Sequence, residues 1–182
     1  MFAKEMVKQS LPLLIFCGIG AIIAGSTLGV MIDLFEKIPG LIVVIPAIIA
    51  LRGNISTAFG SRLGSAYHLG IISADNLWNE ELKQNIIGTL ILSLFVSLVV
   101  GILAYSTSVL IGIFPDPWKL ISIVLLAGII SGLILTFLTI CIIYLVFKRG
   151  YDPDNITGPA LATFGDIITI FCIFGSAVLL GV

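Results

Sequence analysis

Charged positions are spaced along the chain with long stretches between them that hold none. Residues 9–32, 84–115 and 120–147 contain no Asp, Glu, Lys or Arg, and each stretch exceeds the roughly 20 apolar residues with which a helix crosses about 30 Å of hydrocarbon. Two further apolar stretches are interrupted. Residues 40–71 carry Pro46, Arg52, Asn54, Arg62 and His68 among their hydrophobics, and 158–181 carry a single carboxylate, Asp166. The pattern predicts five membrane-spanning helices over about 10–32, 40–71, 84–113, 118–147 and 158–181. They form one domain over 1–182, an all-α, polytopic membrane protein. The links "DLFEKIPG", "SADNLWNEELKQ", "FPDPWK" and "KRGYDPDN" are polar and short. The third and fourth spans, at about 1.5 Å per residue, are long enough to tilt or to project beyond the lipid. The run from Leu11 to Ile32 is long for a signal peptide and ends in no A-x-A site, so it is read as a retained span.

Composition agrees with this reading. The chain is 59% hydrophobic and 10% charged, with mean hydropathy +1.22, whereas soluble domains carry roughly 25% charged residues. A net charge of −1 without a basic patch offers nothing to nucleic acid. Cys17, Cys141 and Cys172 sit far apart in apolar runs, with no CxxC spacing. No metal-protease, phosphate-loop or Ser/His/Asp motif is present, and Asp166 has only Thr163 and Thr169 within a turn. A general acid or nucleophile needs a positioned partner, so an enzyme is not expected, nor a cofactor. With the N-terminus inside, the cytoplasmic segments hold Lys4, Lys8, Lys83, Lys148 and Arg149 against Lys37 and Lys119 outside. The positive-inside rule therefore places the N-terminus in the cytoplasm and the C-terminus outside, in the cell membrane by default.

Ionisable groups are costly in lipid and normally face a protein interior or a wet cavity, and here they gather on the second and fifth spans. Gly158, Ala162 and Asp166 recur at i, i+4 and i+8, on one helix face. On the second span Asn54, Ser61 and His68 repeat at sevens with Thr57 and Ser65 nearby, beside an edge of Gly53, Gly60 and Gly64. Each feature also has a plain structural reading. Glycines at this spacing serve helix packing, Asn54 serves as an interhelical clamp, and Arg62 and His68 snorkel to an interface. Arg52 lies deeper, and Asp166 has two readings, an ion pair with Arg52 or Arg62 and a cation or proton site.

Transition metals favour imidazole or thiolate ligands, and calcium favours several carboxylates. A single acid among Gly, Ala, Thr and Asn suits a largely hydrated magnesium ion, which keeps most of its waters; sodium or a proton also fits one carboxylate. One acid per chain points to a two-fold homodimer, with two Asp166 side chains facing one pore.

The segments "IPAIIALRGNISTAFGSRLGSAYHLG" (45–70) and "GYDPDNITGPALATFGDIITI" (150–170) resemble the paired signatures of the MgtE family of bacterial magnesium channels and the related animal solute-carrier magnesium transporters. The matching features are Pro46 followed by Gly53-Asn54, Asp152-Pro153 before the last span, and Gly158-Pro159 seven residues ahead of Asp166. The resemblance implies a homodimer whose pore follows the two-fold axis between the second and fifth helices. It makes Asp166 the main magnesium ligand, acting through ion-bound waters with carbonyls around Ala162, and turns Asn54 to the pore. Gly158, Thr163, Thr169, Gly53, Thr57, Ser61 and Asn155 are the candidate pore-lining residues. Bacterial members carry cytoplasmic gating domains that "MFAKEMVKQS" does not supply, and animal members hold two such membrane domains in one chain, so this looks like a half-length form that must pair. The expected function is magnesium transport. The competing readings are a sodium- or proton-coupled carrier using Asp166 as its coupling site, and an assembly partner in which Asp166 pairs with an arginine.

Overall fold

The computed structural model describes residues 2–73, 76–149, 151 and 153–181, without the side chains of residues 2, 3, 5, 6, 9 and 153–155. Among the described residues six helices follow one another: α1 (Phe2–Val30), α2 (Ile32–Lys37), α3 (Leu41–His68), α4 (Glu80–Leu110), α5 (Pro117–Lys148) and α6 (Pro153–Leu179). Among the described residues, five helices are long and apolar enough to cross a membrane, over Ser10–Val30, Leu41–His68, Glu80–Leu110, Pro117–Lys148 and Ile156–Leu179. The chain is an all-helical multi-pass membrane protein.

The element boundaries differ from the predicted ones for local reasons. The helix of the first span begins at Phe2 rather than near residue 10, because the Lys and Glu of its first turns are good helix formers. The link after it is itself a short helix: Asp33 opens α2 and Lys37 closes it, each with the sign its end of the dipole favours. Met31, Leu34 and Ile38 hold this segment on the bundle. The second span stops at His68 instead of running to 71, since Gly70 adopts φ +71° and Gly70 N–H donates to the Tyr67 carbonyl at 2.9 Å. Helix α4 starts at Glu80, four residues before the predicted span. The Asn79 side chain caps Leu82 N–H at 3.0 Å, and Glu80 and Glu81 occupy the positive end of the dipole. The Asp116 carboxylate caps α5 by accepting from Trp118 and Lys119 N–H at 2.9 and 3.2 Å, with Pro117 preset for the first helical position.

Helix α6 packs against α1, α3 and α5, and α3 packs against α4, α5 and α6. Two apolar cores result. One gathers Leu41, Val44 and Ile48 of α3 with Val100 and Ala104 of α4, Ile123 and Ala127 of α5, and Ile170, Ile173 and Ala177 of α6. The other gathers Phe59, Leu63 and Ala66 with Leu82, Ile143 and Phe147, where Tyr67 stacks on Phe147 with ring centroids 3.6 Å apart. Between them, in the middle of the spans, lies a buried polar layer that includes Arg52 and Ser56 of α3, Ser93 and Ser97 of α4, and Ser131 and Thr136 of α5.

Candidate functional site at the crossing of α3 and α6

Helices α3 and α6 touch backbone to backbone. A Cβ placed on Gly165 would lie 3.5 Å from both the Cα and the N of Gly53, and one placed on Gly53 would lie 3.9 Å from the Cα of Ala162. Small residues permit this approach. One residue beyond each glycine stand the two polar groups singled out from the sequence: Asn54, exposed on the surface of the chain, and Asp166, half-buried. Ala162 and Gly158 are half-buried on the same face of α6, and the space beside Gly158 is open.

The outer face of α3 continues from Asn54 as a run of small and polar residues. Ala47, Ala50, Asn54, Ala58, Ser61, Ser65 and His68 are all exposed, and their steps of three and four residues put them on one helix face. None is a large hydrophobe. Elsewhere the surface of the spans carries the side chains that lipid favours, such as Phe16 and Phe137, each 70% exposed. Thr57 adjoins the face, half-buried, with its hydroxyl donating to the carbonyls of Gly53 at 2.9 Å and Asn54 at 3.1 Å. Gly60 faces inward, where an added Cβ would come within 2.9 Å of Leu161 and 3.0 Å of Thr157.

Not every predicted lining residue joins this group. Thr163 turns toward α1, where its methyl would meet a Cβ on Gly20 at 2.8 Å. Thr169 is fully buried, with no hydrogen-bond partner for its hydroxyl. Asp152 and the side chain of Asn155 lie outside the described residues.

The ion pair considered for Asp166 does not form within the chain. Among the described residues the one salt bridge joins Lys83 to Glu80, 2.6 Å apart. Arg62 is exposed and donates from Nε to Asn85 Oδ1 at 2.9 Å and from Nη2 to Thr89 Oγ1 at 3.2 Å. Arg52 is 2% exposed and points to α4 and α5. Its Nη2 donates to the Ser93 carbonyl at 2.9 Å and to Ser97 Oγ, and its head fills the room left by Gly128 and Gly132 of α5. Those four residues were missed in the sequence, although Ser93/Ser97 and Gly128/Gly132 each recur at i, i+4. Charge-free spans draw no attention, and nothing in them shows which helix they meet. Among the described residues no three His, Cys, Asp or Glu side chains come together. Oxygen ligands beyond Asp166 would come from water, amide and backbone groups.

A five-span helical domain with an exposed face of small and polar residues, and a carboxylate where two of its helices cross on glycine, defines a polytopic membrane protein with polar groups placed within its spans. More particularly, the chain belongs to the MgtE family, described as a divalent cation transporter, whose family model matches residues 45–176. That interval contains α3 from Ile45 onward, the α3/α6 crossing and Asp166. The chain is also 31% identical over 175 residues to solute carrier family 41 member 2 of Xenopus laevis and 30% identical to that of Homo sapiens. It is 28% identical over 172 residues to member 3 of Rattus norvegicus. The alignments cover 91%, 91% and 90% of this chain. The chain spans only 30%, 30% and 36% of the length of those relatives.

Proposed function

We propose that the chain carries magnesium across the membrane along the polar face of α3 and α6, in a pair of copies related by a two-fold axis, with Asp166 as the principal ion-binding group. The observation that carries this reading is the outer face of α3: seven small or polar residues, Ala47 to His68, exposed in a membrane span beside a carboxylate. Polar surface facing hydrocarbon is costly. A second copy laying the same face against it would enclose a polar path and bring two carboxylates to a common axis. Membership of a divalent cation transporter family supports the ion class.

Magnesium binds reluctantly to bare protein ligands and keeps several waters, needing one or two carboxylates and acceptors for the water protons. Asp166 supplies the charge. The carbonyls around Ala162 and the Asn54 amide are the acceptors for the ion's water shell, and Gly158, Gly53, Thr57 and Ser61 keep the path narrow and polar. Thr163, Thr169 and Asn155 are the outlying members of the proposed lining. The copies sit with both N-termini in the cytoplasm of the cell, on the lysine and arginine count of the links.

Magnesium uptake into proteoliposomes, wild type against Asp166→Asn, with calcium and sodium as competitors, tests the reading. Flux preferring magnesium and falling at least about a hundredfold in the variant, which corresponds to about 3 kcal/mol, is the expected result. Undiminished flux in a folded Asp166→Asn protein refutes the assigned ligand. Flux driven by sodium or protons instead of magnesium refutes the assigned ion.

A further inference from the structure

Arg62 and Glu81 are opposite charges that share one groove without pairing. Among the described residues the one salt bridge joins Lys83 to Glu80, and the proposed path uses neither Arg62 nor Glu81. The groove runs between α3 and α4, has a volume of about 410 Å³ and is lined by Arg62, Glu81, Gln84, Asn85, Gly88 and Leu92.

The chain holds both charges in place. Arg62 Nε donates to Asn85 Oδ1 at 2.9 Å and Nη2 to Thr89 Oγ1 at 3.2 Å. These bonds tie the guanidinium to the flank of α4 and leave Nη1 unused among the described residues. The Asn85 amide turns its other end to the exposed Glu81, donating from Nδ2 to Oε1 at 3.0 Å. A cation and an anion are thus fixed on the two sides of one amide, and each can take further hydrogen bonds, since a guanidinium has more donors than these two bonds use and a carboxylate accepts at both oxygens. Along α4, Glu81, Gln84, Gly88 and Leu92 follow at steps of three and four residues and form one exposed strip, polar at the end of the span and apolar further in. A Cβ added at Gly88 meets nothing within 4 Å. Trp78, exposed just before α4, marks the level of the lipid headgroups, where tryptophan is favoured.

A strip that carries both signs of charge at headgroup level and is apolar below it matches a zwitterionic phospholipid. A phosphate accepts charge-assisted hydrogen bonds from a guanidinium. The matching partner for a carboxylate is an ammonium with N–H donors, which phosphatidylethanolamine has and the fully methylated phosphatidylcholine lacks. A headgroup charged only through its phosphate would bring net negative charge up to Glu81, which disfavours it. We propose that this groove binds phosphatidylethanolamine, with the phosphate on Arg62, the ammonium on Glu81 and an acyl chain leading past Gly88 to Leu92.

The test is native mass spectrometry of the delipidated chain in detergent, titrated separately with dioleoyl phosphatidylethanolamine, phosphatidylcholine and phosphatidylglycerol, for wild type, Arg62→Gln, Glu81→Gln and Gly88→Leu. Wild type is expected to hold phosphatidylethanolamine roughly tenfold more tightly than the other two, the factor that one hydrogen bond between charged groups supplies. Arg62→Gln weakens its binding roughly tenfold for the same reason. Glu81→Gln keeps an acceptor for Asn85 and removes the charge, so phosphatidylethanolamine falls to the level of phosphatidylcholine. Gly88→Leu fills the strip from a position that touches nothing, so it blocks the lipid without disturbing the bundle and decides the matter should Arg62→Gln fail to fold. Equal retention of the three lipids by wild type would mean a shell of bulk lipid, and tighter phosphatidylglycerol an anionic-lipid site; either overturns the proposal. So does a phosphatidylethanolamine preference that survives Glu81→Gln or Gly88→Leu, or a wild type that binds no lipid and forms a dimer that Gly88→Leu splits.

Discussion

Gly128→Ala adds one methyl group where Ser97 of α4 and Arg52 of α3 press against α5. The new Cβ would overlap Ser97 and stand 2.8 Å from Nη2 of Arg52, closer than real Cβ contacts come. Ser97 is held on α4 by its hydrogen bond to the Ser93 carbonyl at 2.6 Å, and Arg52 is held by the same carbonyl, so neither can yield without breaking a bond. Overpacking of this kind costs about 1–3 kcal/mol. Loss of a hydrogen bond from a charged donor adds about 1.5–3 kcal/mol. The exchange of glycine for alanine within a helix returns up to about 1 kcal/mol. The net loss is about 1.5–6 kcal/mol, which for a chain of this length lowers the unfolding midpoint by roughly 3–24 °C. The control is Gly25→Ala on α1, where an added Cβ has nothing within 4 Å and only the helix-propensity gain of up to about 1 kcal/mol operates. Thermal unfolding of the purified proteins in one detergent at one scan rate compares them. Equal midpoints for the two variants would refute the claim that Arg52 and its serines form a tightly packed buried layer.

Two other substitutions probe the crossing and the surface. At Gly165 the alanine Cβ makes an ordinary 3.5 Å contact with Gly53, so Gly165→Ala keeps magnesium flux within about twofold, whereas Gly165→Val forces α3 from α6 at a cost of about 1–3 kcal/mol and lowers flux at least about tenfold. Equal flux in the two variants would show that the backbone approach is not needed. Glu80→Gln removes the Lys83 ion pair, whose side chains are 78% and 55% exposed. Such pairs contribute about 0–1 kcal/mol, and the unfolding midpoint is expected to move by less than about 3 °C.

The candidate site was legible to the extent that its residues contrast with their surroundings. Asp166 and Asn54 stand out because ionisable and amide groups are costly in an apolar run. The seven-residue spacing of Asn54, Ser61 and His68 assigned them to one face of α3, and all three are exposed together. Thr163 and Thr169 show where spacing falls short. Both lie within a turn of Asp166, yet one meets α1 at Gly20 and the other is sealed inside the bundle. A helical pattern gives angles about an axis but not which neighbour occupies each angle. Boundaries predicted from hydropathy alone missed in both directions: α4 begins four residues before its predicted span, while α3 stops at His68, short of residue 71. Asn79, Glu80 and Glu81 belong to α4 through capping and the dipole, although none of them is apolar.

By itself the sequence determined that the chain crosses a membrane, how many times, and which two spans carry polar groups. These follow from the cost of placing charge and backbone in hydrocarbon, a local property of each segment. Only the tertiary structure decided that Gly53 meets Gly165, and that Arg52 is lodged among serines and glycines of two other helices instead of pairing with an acid. Within lipid no apolar preference distinguishes one greasy helix face from another. The arrangement is settled by close packing and hydrogen bonds between residues as far apart in the chain as Arg52 and Gly132.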